Sequence, residues 1–271
     1  MIPKCEFLQC DQDAHNFGDK YYNWCTYHKD GGIFGSGESY EQYQIIEEDF
    51  VNFIKYVPLT QDHFKVYSPI LRDIILRSCV QIEIFFKEWS KELCSQENPP
   101  EDLFNKYNKK YKEGEKKGEL KGVSGWKMED YFIFKDKLHK DDRPVILVLP
   151  LNEKIYPFKD WTNEKSPIWW NSYNEIKHDG HVTKKNANLE VALYALAGLF
   201  HLHVTHSDSK RYLLNYSQIK IDRKWSNLII SRAEITTPID SKKFLFKAIS
   251  TGSVIKDFER EEKLNSRYNT L

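Results

Sequence analysis

The chain has 271 residues, of which 40% are apolar and 30% charged, the composition of a folded protein and not of a disordered one. Forty basic residues balance forty acidic ones, so whole-chain charge excludes any general attraction to nucleic acid or membrane; a nucleic-acid site must come from a local patch. The longest apolar stretch, 189–204, carries Glu190, His201 and His203 and is too short and polar for a membrane span, and the first residues lack a signal-peptide core. These features place the protein in the cytoplasm, where five cysteines argue against a disulfide framework.

Cys5, Cys10, Cys25 and His28 form the pattern C-x4-C-x14-C-x2-H. Zinc takes four tetrahedral thiolate and imidazole ligands, commonly offered as two close pairs. Cys5 with Cys10 and Cys25 with His28 supply two such pairs, and His15 competes as a fourth ligand. Phe17, Tyr21, Tyr22 and Trp24 lie between the pairs and provide an apolar cap. A segment of about thirty residues does not hold a core alone, so a structural metal is its natural staple. The strings Cys5 to Cys10 and Trp24-Cys25-Thr26-Tyr27-His28-Lys29 resemble a small zinc-finger motif of bacterial and phage proteins, often found beside nuclease domains. A zinc-binding module is expected over 1–32, followed by a glycine-rich linker over 33–39.

Helical spacing runs from Tyr40 to Tyr56, and Pro58 stops it. Ser68-Pro69 reads as an N-cap followed by proline at the first helical position, opening a helix to about Leu93. Its apolar stripe includes Ile74, Cys79, Ile82, Phe86 and Trp89; Arg77 and Glu83 sit mid-helix, either in a polar pocket or in solvent. Asn98-Pro99-Pro100 breaks the pattern. Residues 106–121 then hold seven lysines against three glutamates, with Tyr107 and Tyr111 interleaved. Such a run is either a solvated face or a contact for a phosphate backbone. Tyr131 to Phe134 and Val145 to Leu149 read as strands, making 96–165 an insertion with a small sheet.

Ser166-Pro167 starts another helix. Asn171, Asn174 and His178 share one face of it, while Trp169, Tyr173 and Ile176 share a packing face. Gly180 permits a bend before His181, and Asn186 or Asn188 can cap the next helix, Leu189 to about His203, which is apolar nearly all round and belongs at the centre of a bundle. His201 and His203 lie two apart, on different helix faces, so they do not share an ion. The region 210–258 alternates enough for a small β-element, including Phe244 to Ile249, and 259–271 reads as a polar tail.

The helix from Tyr67 through Arg77 to Glu83, together with Trp169 to His178 and Asn186 to Phe200, resembles the HEPN superfamily, in particular members with a Tyr-Asn-x-x-Lys-His string before a buried final helix. The resemblance implies a mainly α fold: a HEPN-like helical bundle over 40–258, with a small β insertion and the N-terminal zinc-binding module. It implies an RNA-directed effector or toxin-like protein of bacterial anti-phage defence, acting as a metal-independent endoribonuclease with RNA as partner and a site composite across a homodimer. The family's nucleases carry an arginine and a histidine with four to six residues between them, and no arginine stands at that spacing before His178 or His181. That departure keeps a second expectation open, a non-catalytic adaptor or sensor that binds a protein or nucleic-acid partner. If the chain cuts RNA, His178 or His181 serves as acid or base, Lys177 or Arg77 faces the phosphate, and Asn174 orients the histidine or the phosphate.

Overall fold

Helix α1, Glu38–Ile54, starts at Gly37, whose φ of 82° is a left-handed conformation open to glycine, and its first turn carries Glu38 and Glu41, favourable at the positive end of the helix dipole. Tyr40, Tyr43, Ile46, Phe50 and Phe53 bury one face. Helix α2, Pro69–Cys94, is capped as its sequence predicts: the Ser68 hydroxyl accepts from the Leu71 amide at 3.1 Å, with proline at the first helical position. Its stripe from Leu71 to Leu93 is buried. These helices come from a computed structural model that describes residues 37–113, 116–139, 144–178, 184–206, 208–209, 239–240, 243 and 245–250, and the backbone of 16–17 and 20–21.

The protein is mainly α. Helices α3 (Glu101–Tyr107), α4 (Lys135–His139), α5 (Ile168–His178) and α6 (Leu189–Thr205) follow α1 and α2. Helix α6 is the axis of the bundle. All of its residues except Glu190, Tyr194 and Thr205 are buried, and it touches α1, α2, α4, α5 and two strands. The Asn188 side chain accepts from the Val191 amide at 3.1 Å and caps it. Three backbone bonds stitch this entry to the chain leading into α2: Leu189 N to Val66 O, Glu190 N to Phe64 O and Ser68 N to Ala187 O. Gly198 lets α5 approach, since a Cβ there would meet the Trp169 ring at 3.2 Å. Trp169 is held from the other side by its indole N–H, which donates to the Pro157 carbonyl at 2.6 Å.

Strands β1 (Asn16–Phe17) and β2 (Lys20–Tyr21) pair antiparallel. Strands β3 (Pro144–Val148), β4 (Glu153–Ile155), β5 (Ile239–Asp240) and β6 (Phe246–Ser250) form a second, antiparallel sheet in the order β4-β3-β6-β5. The expected strands at Val145 to Leu149 and Phe244 to Ile249 correspond to β3 and β6, which pair in one sheet that joins the inserted region to the tail; Phe244 lies outside the described residues. Tyr131 to Phe134 is not a strand. It lies in a 3-10 turn, Met128–Phe134, because Tyr131 and Phe134, three residues apart, both point into the core. The segment read as an insertion also supplies core: Leu103, Tyr107, Met128, Phe158 and Trp161 are buried in the same apolar cluster as α1, α2 and α6. Among the described residues, no helix is long and apolar enough to cross a membrane.

Candidate functional site

Helix α5 has two faces, as its spacing predicts. Trp169, Trp170, Tyr173 and Ile176 are buried, while Asn171, Asn174, Lys177 and His178 are exposed. Asn174, Lys177 and His178 lie on the edge of a cleft of about 470 Å³. Its other walls come from Glu83 on α2 and from the segment Trp126 to Tyr131. The cleft thus unites an imidazole, an amide and two ammonium groups (Lys127 and Lys177) at its rim with aromatic rings and the half-buried carboxylates of Glu83 and Glu129.

Each wall is fixed by local contacts. Glu83 Oε1 accepts from Lys87 at 2.6 Å, one helical turn on. Glu129 accepts from the Ser166 hydroxyl at 2.6 Å, tying the start of α5 to the opposite wall. Lys106 pairs with Asp130 and lies 5.4 Å from the centre of the Trp126 ring, a cation–π contact. The Lys177 ammonium lies 5.5 Å from the Tyr173 ring. On the floor, Trp170 and Tyr173 have ring centroids 5.0 Å apart and Tyr131 stacks on Phe86 at 5.3 Å. Burial, with Glu83 among the nearby charges, pushes the Tyr173 hydroxyl up to about 12 and raises that of Tyr131 well above the ordinary phenol range, so both remain protonated.

The basic run reaches this rim. Its first lysine, Lys106, holds Trp126, and the Tyr111 hydroxyl lies 3.1 Å from that of Ser124. Lys109, Lys110, Lys112, Lys116, Lys117 and Lys121 are exposed on the adjoining loop, with Lys121 5.2 Å from the Tyr111 ring.

Arg77 is elsewhere. It pairs with Asp49 of α1 at 2.6 Å and with Asp73 at 2.8 Å, so it is not a phosphate ligand of this cleft. Glu83 is the polar residue of α2 that faces the site. Trp126 and Lys127 carry no spacing signal that ties them to α5 in sequence; packing alone brings them there.

The three histidines at the end of α6 are separated and buried. His203 Nδ1 lies 2.7 Å from the Ser209 hydroxyl, His206 Nε2 lies 2.7 Å from Glu92, and His201 packs against Phe158. Burial, and then the neighbouring His206, hold the His203 imidazole down to about 3, so it is neutral near pH 7. Cys79 and Cys94 are buried thiols, the second pushed up to about 11 by burial, and therefore poor nucleophiles. His181 and the four expected zinc ligands Cys5, Cys10, Cys25 and His28 lie outside the described residues. Across α5 a second cleft of about 480 Å³ is lined by Lys65, Glu190 and Tyr194 and holds none of the residues singled out in α5's polar string.

Comparison of the chain with protein-family models, with curated proteins and with solved structures gave no match.

Proposed function

We propose that this protein is an RNA-directed effector of the HEPN-like kind that binds RNA at the cleft between α2, α5 and residues 126–131 and cuts it without a metal. One observation carries the reading: His178, Lys177, Asn174 and Lys127 share the rim of one aromatic-floored cleft, next to a lysine-rich loop. Single-stranded nucleic acid is bound by this combination of cationic groups for the backbone and flat rings for the bases. Metal-independent cleavage needs a group that takes the 2′-hydroxyl proton as that oxygen attacks the phosphorus. It also needs a group that returns a proton to the leaving 5′-oxygen, and a cation near the charged phosphate. An imidazole can carry out either proton transfer, and His178 stands at the rim with His181 three residues on. Lys127 and Lys177 are the cations, and Asn174 is a hydrogen-bonding partner for the phosphate or the imidazole.

Exchanging both rim lysines, Lys127→Ala with Lys177→Ala, is expected to weaken binding of a single-stranded RNA and to lower its salt slope by about one per lysine removed. Fluorescence anisotropy across a salt series reads this; a slope equal to that of wild type would place the RNA elsewhere. The second reading, a non-catalytic adaptor, is favoured by the missing arginine upstream of His178 and predicts RNA or partner binding with no scission.

The zinc module belongs to the same proposal and rests on the C-x4-C and C-x2-H pair spacings, with His15 still a competitor for the fourth position. Elemental analysis of the purified chain is expected to return one zinc per molecule, lost on exchange of Cys10 and Cys25 to serine. A metal-free chain that is fully folded would remove the module from the account.

A further inference from the structure

The rim and the floor of the cleft differ in chemistry. The rim is exposed and cationic. The floor holds Tyr131 and Tyr173, which are 2% and 1% exposed, and neither hydroxyl has a hydrogen-bond partner among the described residues. Both hydroxyls are shut off from solvent, so these rings give the cleft an apolar floor. Glu83 lines the same cleft, and Lys87 donates to its carboxylate at 2.6 Å. Trp126 and Trp170 add flat walls. A planar ring with a polar edge fits this space, whose volume of about 470 Å³ is in the range of small-ligand sites.

We infer that the floor of this cleft is a pocket for one unstacked nucleobase and that Glu83 makes it select guanine. The inference rests on the RNA reading above. The argument is one of donors and acceptors. Guanine alone among the four bases offers two adjacent N–H donors on its pairing edge, N1–H and the 2-amino group, which match the two oxygens of a carboxylate. Adenine and cytosine each turn a ring-nitrogen lone pair toward the carboxylate beside their one amino group. Uracil flanks its single N–H with two carbonyls. All three meet repulsion where guanine meets two charge-assisted hydrogen bonds. The rim then receives the phosphate of the same nucleotide, placing His178 beside the backbone of a guanosine.

The test uses the full chain and five nucleoside 5′-monophosphates, carrying guanine, hypoxanthine, adenine, cytosine or uracil, with binding read by calorimetry and by tryptophan fluorescence. Guanosine monophosphate is expected to bind at least about tenfold more tightly than the adenine, cytosine and uracil nucleotides. Inosine monophosphate, which lacks the 2-amino group, falls between. Glu83→Gln keeps the side-chain shape and is expected to erase the preference. If Glu83→Gln does not fold, the wild-type base series decides. Equal binding of all five nucleotides, or none, overturns the inference. RNA binding measured in parallel separates the two levels. RNA bound through the rim lysines with no guanine preference overturns the guanine pocket and leaves the RNA reading. A guanine preference with no RNA binding overturns the RNA reading and leaves a guanine-nucleotide site.

Discussion

Phe86→Ala is expected to destabilise the protein by about 3–5 kcal/mol and to loosen the cleft with it. Phe86 is fully buried on α2, with the rings of Tyr131, Phe134, Phe158 and Trp161 at centroid distances of 5.3, 5.4, 6.2 and 5.6 Å. Truncation removes its own transfer energy and leaves a void among large, planar neighbours that cannot collapse into it without leaving their rotamers. Tyr131 stacks directly on Phe86 and floors the cleft, so the same change is expected to weaken nucleotide binding. Urea denaturation measures the stability loss, with Phe104→Ala as control. Phe104 is 39% exposed, and its truncation is expected to cost far less than that of Phe86. Equal losses for the two variants would contradict this picture of the core.

Much of the helical frame is legible in local sequence, because caps and periodicity are local. Ser68-Pro69 marks the start of α2, the Asn188 cap and the unbroken apolar run mark α6, and the three-and-four spacing of α5 separates its buried tryptophans from Asn174, Lys177 and His178. The sheet is not legible in that way. Strands β3 and β6 pair across about a hundred residues of chain, and nothing in either segment names its partner. Tyr131 to Phe134 has the aromatic content of a strand, but its core contacts recur at three residues, so tertiary packing overrides the apparent alternation. The cleft was half legible for the same reason. Its α5 rim follows from one helix, whereas Trp126 and Lys127 arrive through packing. Arg77 and Glu83 were distinguishable in principle: six residues at about 100° each turn them to different sides of α2, and the structure sends Arg77 toward Asp49 of α1 and Glu83 into the cleft.

The proposal that this protein cuts RNA rests on an imidazole at the rim of a cleft that also holds cations and rings. Removing a general acid or base from such a site costs about 10²–10⁴ in rate. His178 is exposed on the last turn of α5, so its truncation is expected to cost little stability. The deciding measurement incubates wild type and the His178→Ala, His181→Ala double variant with transfer RNA and a mixed RNA pool in EDTA, and identifies the fragment ends. The account predicts fragments with 2′,3′-cyclic phosphate and 5′-hydroxyl ends from wild type, formed at least about 100-fold more slowly by the variant. RNA left intact by the wild-type protein, or cut equally well by the variant, would contradict it.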